Sequence, residues 1–243
     1  MLKNTFPNNM LSSFSDFLAY INDSSNSSTQ YSYLILKPDS GNKISEILSM
    51  IEENFSLSEL SFFVVENWKN AALSLYEDHF NWNEFFYHSL FTYLTSVEEL
   101  FGSKALLVLI HSDRYTKEEL INEIYALKKK IRKMRNNLFS LIVDAAQIPE
   151  FKDLNFPMRQ VTITGENGIA ISPFCLSENG YFDFHALNLC HCPDPDINTT
   201  IEELRLLTKL NVISPDTMVT DESLTLLTIY HTMQVLKCRK DTN

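Results

Sequence analysis

The chain lacks the features that would assign it to a membrane or secreted class. No apolar run approaches the ~18 residues that a helix needs to cross a bilayer, so we expect no membrane span and no membrane partner. The N-terminus has no basic start followed by an unbroken apolar stretch, which argues against a secretory signal and makes the cytoplasm the expected location. The composition, 44% hydrophobic and 21% charged, is ordinary for a soluble globular protein.

Cysteine and basic residues are both scarce. Four cysteines in 243 residues, without a secretion signal, favour free thiols over a disulfide framework. The 20 lysines and arginines are outnumbered by 31 aspartates and glutamates, and the resulting net charge of −11 repels nucleic acid at long range. We therefore expect no nucleic-acid partner. A small phosphate-bearing ligand stays compatible with this charge, because a few converging cations and a metal ion can hold it.

The hydrophobic pattern alternates between strands and helices. It predicts strands over 31–37, 57–66, 104–110 and 181–190, and helices over 44–55, 118–137 and 199–210. Residues 138–176 add two strand-like runs, the second broken by a turn signal at Gly165 and Gly168 that predicts a hairpin. Without the hairpin, the order predicts an α+β fold, a ferredoxin-like split βαβ sandwich with an antiparallel sheet.

The pattern also suggests how the chain is divided. Residues 1–30 read as an N-terminal extension with a short helix over 11–21 and a polar tract. Residues 31–210 form the main domain, with an insertion at about 138–178. Residues 211–243 read as a C-terminal helical extension with a helix around 224–236.

Two short motifs carry the chemistry. LILKPD (34–39) ends the first strand, and Asn188-x-x-His191-x-x-Asp194 ends a late strand. In this order and on these elements they resemble the nucleoside diphosphate kinase family, which is marked by a first strand ending in KPD and a late strand ending in N-x-x-H-G-S-D. LYEDH (75–79), EFF (84–86) and LFTYLTS (90–96) are similar to three further stretches of that family. The resemblance covers roughly residues 31–137 and 180–210.

The resemblance implies a two-step phosphoryl transfer at one site. His191 would take the terminal phosphoryl group of ATP and pass it to a nucleoside diphosphate or another acceptor, because a neutral imidazole is a good nucleophile near neutral pH. Glu203, with Glu202 as the adjacent alternative, would orient the ring through its other nitrogen. Lys37 would neutralise charge on the transferring oxygens, and Tyr76 would add a hydroxyl hydrogen bond there.

The resemblance also implies how the nucleotide would be held. Phe85 would stack on the base, Leu90 would line its other side, and Asn188 would hydrogen-bond the ribose or the phosphates. A cation of the basic helix would contact phosphate, and the candidates are Lys128, Lys129, Arg132 and Arg135. Mg²⁺ would be held mainly by the nucleotide's own phosphates, so no dedicated metal ligands are expected. The family commonly forms hexamers or tetramers, which implies a homo-oligomer.

The sequence also departs from the family pattern. His191-Cys-Pro-Asp194 replaces His-Gly-Ser-Asp, and Asn179 stands where the family has a phosphate-clamping arginine. Two alternatives therefore stay open: a module that binds nucleotide or partners without transfer, and an enzyme that uses the pocket to activate a carboxylate. A metal site at Cys190, His191 and Cys192 is disfavoured, because successive strand residues point to opposite faces.

Overall fold

A computed structural model describes the protein over residues 10–23, 27–77, 94–95, 97–98, 101–134, 142–144, 163–164, 170–171, 175–176, 181–183 and 189–219. Within these residues, helices α1 to α5 span Met10–Asn22, Ile44–Glu52, Trp68–Leu75, Lys117–Lys133 and Ile197–Lys209. Strands β1 to β9 span Gln30–Leu36, Leu60–Val65, Ala105–Ser112, Ile142–Asp144, Ile163–Thr164, Ala170–Ile171, Cys175–Leu176, Tyr181–Asp183 and Cys190–His191. Short 3-10 helices lie at Pro38–Lys43, Leu57–Glu59 and Pro215–Thr217.

The central sheet has four strands in the order β2–β3–β1–β9, and every neighbouring pair is antiparallel. Strands β1 and β2 are therefore parallel to each other, with β3 between them. The strands alternate along the chain with α2, α3, α4 and α5, so the predicted α+β class is confirmed. Among the described helices, none combines the length and apolar character that a bilayer span requires.

Each face of this sheet has its own hydrophobic core. One face, here called the α5 face, carries Ile35 and Leu107 and is covered by α1, α3 and α5. The opposite face, here called the α4 face, carries Leu34 and Val108 and is covered by α2 and α4. Since both faces are covered, the central strands read as continuous apolar runs rather than alternating ones. Helix α1, which the sequence predicted as a short helix over 11–21, packs into the core of the α5 face through Phe17.

The single strand predicted over 181–190 is wrong. Its first part, β8, pairs with β4 and β7 in a separate sheet, whereas β9 pairs with β1 in the central sheet. Directly before β9, Leu189 has a φ of 61°, in the left-handed region that interrupts an extended strand. This backbone reversal is local, and hydrophobic periodicity does not reveal it.

Two hydrogen bonds hold Leu189 in this conformation. Its N–H donates to Oδ2 of Asp39 at 3.1 Å, and its carbonyl accepts from the backbone N–H of Lys37 at 2.9 Å. Both partners belong to the KPD motif at the end of β1. The motif therefore fixes where β9 begins and, with it, where the side chain of His191 is placed.

The remaining strand predictions fall partly within the described residues. Ile163 pairs with Ile171 and Thr164 with Ala170, which confirms the antiparallel pairing predicted for the hairpin. The turn of that hairpin and the helix predicted around 224–236 lie outside the described residues.

Shortening a core side chain of β3 should destabilise the protein strongly. Leu107→Ala should lower the free energy of unfolding by about 2–5 kcal/mol, because this fully buried side chain leaves a cavity when shortened. Leu57→Ala, at a side chain that is 51% exposed, should change it by less than about 0.5 kcal/mol. Urea unfolding followed by circular dichroism measures both values. Equal losses would contradict the assignment of Leu107 to the core.

Candidate functional site

His191 is the centre of a buried polar cluster on the α5 face. It lies opposite Ile35 of β1, so its side chain emerges on the same face as that residue. The residue is only 5% exposed. Cys190 and Cys192, its neighbours in sequence, pack into the core of the α4 face instead. The two thiols and the imidazole are thus separated by the sheet, as strand alternation requires.

Both ring nitrogens of His191 meet tyrosine hydroxyls. The Tyr76 hydroxyl lies 3.0 Å from Nδ1, and the Tyr33 hydroxyl lies 3.2 Å from Nε2. Tyr33 also donates to Oε2 of Glu203 at 2.6 Å. The same carboxylate oxygen is 3.7 Å from Nε2, too far for a hydrogen bond. Glu203 therefore reaches the imidazole through Tyr33 and not directly.

The local sequence explains how three elements bring these groups together. Tyr33 lies two residues before Ile35 on β1 and thus on the same face. Tyr76 directly follows α3, whose start is capped by the Asn67 side chain accepting from a backbone N–H. Glu203 lies two turns into α5, whose start is capped in the same way by Asp196.

The structure also separates the two glutamates that the sequence left as alternatives. Glu202 is exposed on α5, whereas the side chain of Glu203 is 16% exposed and bonded to Tyr33. Consecutive helical residues differ by about 100° in direction, so only one of them faces the sheet. Glu203 is the one at the site.

Burial decides the protonation states in the cluster. It lowers the pKa of His191, an effect that the Glu203 carboxylate opposes. It raises the pKa of both Tyr33 and Tyr76, and the Glu203 carboxylate adds to each increase. The imidazole and both phenols are therefore neutral near pH 7, and a neutral imidazole has a nucleophilic lone pair.

Lys37 lies close to this cluster. Its ammonium is 5.8 Å from the ring centroid of Trp68, and the Trp68 and His191 rings are 6.3 Å apart. Burial lowers the pKa of Lys37 to about 8, with the carboxylate of Asp39 acting in the opposite direction. Tyr76 and Glu203 thus lie within 4 Å of the His191 ring, whereas Lys37 lies beyond Trp68 and acts on the imidazole through its charge.

Two of the four basic candidates, Lys128 and Arg132, lie one helical turn apart on α4, the helix that covers the opposite face of the sheet. Lys128 Nζ donates to the backbone carbonyl of Cys192 at 3.2 Å and lies 3.8 Å from Oδ1 of Asp194. This contact holds the chain that follows His191, a structural task that the sequence did not predict. Arg132 is near enough for its charge to act on Lys37 and Tyr76.

Sequence reasoning missed two residues of the cluster, Tyr33 and Trp68. The period of two along β1 could have indicated Tyr33, because Tyr33, Ile35 and Lys37 alternate on the same side of the strand. Trp68 begins α3, and no periodicity placed it at this site. Four further candidates for nucleotide contact lie outside the described residues: Phe85, Leu90, Arg135 and Asn188.

Comparison with known proteins adds no relative. No family model, no curated protein and no solved structure matches the chain. The geometry of the cluster and the two short motifs are therefore the observations that bear on function.

Replacing His191 should change how stability depends on pH. Because burial holds the pKa of His191 below its ordinary value of 6.5, the unfolded state binds more protons than the folded state as the pH falls below that value. The wild-type protein should lose stability relative to His191→Gln between about pH 6.5 and 5. Urea unfolding at a series of pH values measures this difference. A constant difference across the range would contradict a buried neutral imidazole.

Proposed function

We propose that the protein is a nucleotide-dependent phosphotransferase that carries the γ-phosphoryl group of ATP on His191. The acceptor would be a nucleoside diphosphate or another small molecule. The observation that supports this function is that Tyr76 and Glu203 lie within 4 Å of one buried, neutral imidazole, on which the charge of nearby Lys37 also acts. These residues belong to segments that are far apart in the sequence, so only the fold brings them near one another. Their meeting in one cluster is the geometric condition that such a site must satisfy.

The topology of the sheet supports a ferredoxin-like fold for this domain. In a split βαβ arrangement, the two parallel strands of one βαβ unit are separated by a strand from the other unit. Strands β1 and β2 have this relation, with β3 between them, and α2 and α4 cover the same face. We extend the proposal to this fold and, by the family resemblance, to a homo-oligomeric assembly.

The transfer would use Nδ1 of His191 as the nucleophile. Its lone pair attacks the γ-phosphorus in line, the bond from phosphorus to the bridging oxygen breaks, and the nucleoside diphosphate leaves with that oxygen. The Tyr76 hydroxyl, now 3.0 Å from Nδ1, moves to a phosphoryl oxygen as phosphorus approaches. Lys37 neutralises charge that develops on the phosphoryl oxygens. The second half-reaction reverses these steps toward the acceptor.

Such transfers require Mg²⁺, and the two carboxylates near the site already accept hydrogen bonds from the protein. Asp39 accepts a hydrogen bond from Leu189, and Glu203 accepts one from Tyr33. A metal ion bound to the nucleotide's phosphates would enter with ATP and neutralise part of the phosphate charge. The protein residues then have only to bind and orient the phosphoryl group.

A second candidate function is nucleotide binding without transfer. The observation that favours it is that hydroxyl groups occupy both ring nitrogens of a His191 that is only 5% exposed. A phosphoryl group could reach Nδ1 only after the Tyr76 hydroxyl has moved away. The replacement of Gly-Ser by Cys192 and Pro193, and of a phosphate-clamping arginine by Asn179, points the same way.

Labelling with ATP separates these functions. Incubation with γ-labelled ATP and Mg²⁺ should give an acid-labile, base-stable phosphoprotein, because phosphohistidine has that stability. His191→Gln should abolish the label, whereas the matched control His111→Gln, at a histidine of β3 remote from the KPD motif, should retain it. A wild-type protein that binds nucleotide but takes no label would overturn the proposal in favour of the second candidate. Release of AMP and pyrophosphate with a carboxylate would indicate carboxylate activation instead.

Removing the ammonium of Lys37 should slow phosphorylation. We expect Lys37→Met to reduce the rate of His191 labelling by about 10²- to 10³-fold, the loss typical of one donor to developing charge. Lys104→Met is the control, because Lys104 is 40% exposed and pairs with Glu66 at the surface. Single-turnover labelling measures both rates. Equal rates for the two variants would contradict the role of Lys37.

A further inference from the structure

The contacts of Tyr33 are unusual because one hydroxyl connects two other functional groups. Its oxygen lies 2.6 Å from Oε2 of Glu203 and 3.2 Å from Nε2 of His191. The residue is fully buried in the central strand β1, so both contacts are made away from solvent. The phenol oxygen thus contacts both the carboxylate and the imidazole, which are 3.7 Å from each other.

The protons available to these groups determine which atom donates in each hydrogen bond. A tyrosine hydroxyl has one proton, and a carboxylate can only accept, so the proton of Tyr33 is donated to Glu203. The Tyr33 oxygen then has only lone pairs for His191, and Nε2 must donate. Nδ1 consequently has no proton and accepts from the hydroxyl of Tyr76. Each of the three contacts contains one proton, and none is left between two acceptors.

The opposite assignment fails at the shortest contact. With the proton of His191 on Nδ1, the Tyr33 hydroxyl would have to donate to Nε2. Its oxygen would then face a carboxylate oxygen 2.6 Å away with no proton between them. Two acceptors at that distance inside a protein repel each other strongly.

We propose that Tyr33 is a positioning residue that connects Glu203 to His191 and fixes the tautomer with the proton on Nε2. The lone pair of Nδ1 is then held ready beside Tyr76. This extends the proposed phosphotransfer, on which its kinetic consequence rests, by assigning a residue and a nitrogen atom. The tautomer itself is a property of the free protein.

The hydrogen bonds from His191 through Tyr33 to Glu203 would also stabilise the phosphorylated state. Phosphorylation of Nδ1 makes the ring more electron-poor and its Nε2–H a stronger donor. The Nε2–H donates to the Tyr33 oxygen, and the Tyr33 proton is donated to the charged Glu203. The negative charge of the carboxylate therefore stabilises the electron-poor ring through one polarised hydroxyl. Replacing the phenol by a benzene ring breaks this path without greatly changing the volume.

The test is the protonation pattern of the His191 ring in the full chain without nucleotide. Two-bond ¹H–¹⁵N correlation spectra of ¹⁵N-histidine-labelled protein distinguish the two tautomers, and comparison with His191→Gln assigns the signals. The wild type should show one tautomer, with the proton on Nε2. Tyr33→Phe should show loss of that single tautomer, as averaged shifts of the two nitrogens.

The chain offers a matched control for this substitution. Tyr31 lies two residues earlier on β1, on the same face and 4% exposed, with its ring near His111 and not near His191. Tyr31→Phe removes a buried hydroxyl from the same strand and should leave the His191 signals unchanged. If Tyr33→Phe does not fold, Glu203→Gln tests the same hydrogen bonds. A glutamine amide can donate as well as accept, so Tyr33 no longer has to donate its proton to residue 203.

The kinetic readout is separate from the tautomer. We expect Tyr33→Phe to slow labelling of His191 by about 10- to 100-fold, as when the hydrogen-bonding partner of a functional histidine is removed. If the wild type takes no label but Tyr33→Phe loses the single tautomer, phosphotransfer fails and the positioning role stands. If Tyr33→Phe keeps the wild-type tautomer, the positioning role is overturned, whatever the labelling rate.

Discussion

Two hydrogen bonds to Leu189 join the end of β1 to the start of β9, and the candidate site depends on this junction. The Asp39 carboxylate and the Lys37 amide hold Leu189 at a φ of 61°, a conformation that costs a non-glycine residue about 1–3 kcal/mol. The next residues pair with β1 and direct His191 to one face and the flanking thiols to the other. The KPD segment therefore has a structural task besides any role of Lys37 in binding phosphate.

Burial determines the protonation states of the polar groups around His191. The α5 face is a hydrophobic core, and in it the imidazole and two phenols stay neutral because ionisation would be costly there. Polar groups in such surroundings must satisfy one another, which explains the chain from Tyr76 through His191 and Tyr33 to Glu203. A site that exchanges phosphate would have to open this chain at Tyr76 and keep it closed at Tyr33. In the described structure both ring nitrogens have hydroxyl partners, so Nδ1 becomes accessible only when Tyr76 moves away.

Prediction from sequence succeeded where one segment contains the whole signal. The apolar runs at 31–37 and 104–110 and the amphipathic run at 118–137 gave β1, β3 and α4 with ends displaced by a few residues. Prediction failed at 181–190, because a left-handed residue and a change of sheet leave no trace in hydrophobic periodicity. In the site, the motifs selected His191 and Lys37, but not Tyr33, which looks like any other buried strand residue in the sequence.

The sequence by itself determined the α+β class, the alternation that places His191 opposite its neighbouring cysteines, and the residue types gathered near it. These follow from composition and from periods of 2 and 3.6, which are local properties of the chain. Only the tertiary structure decided that Glu203 and not Glu202 faces the ring, and that a phenol stands between that carboxylate and the imidazole. Both depend on distances of a few ångströms between β1, β9 and α5. Such distances are set by how the layers pack, and no single segment encodes them.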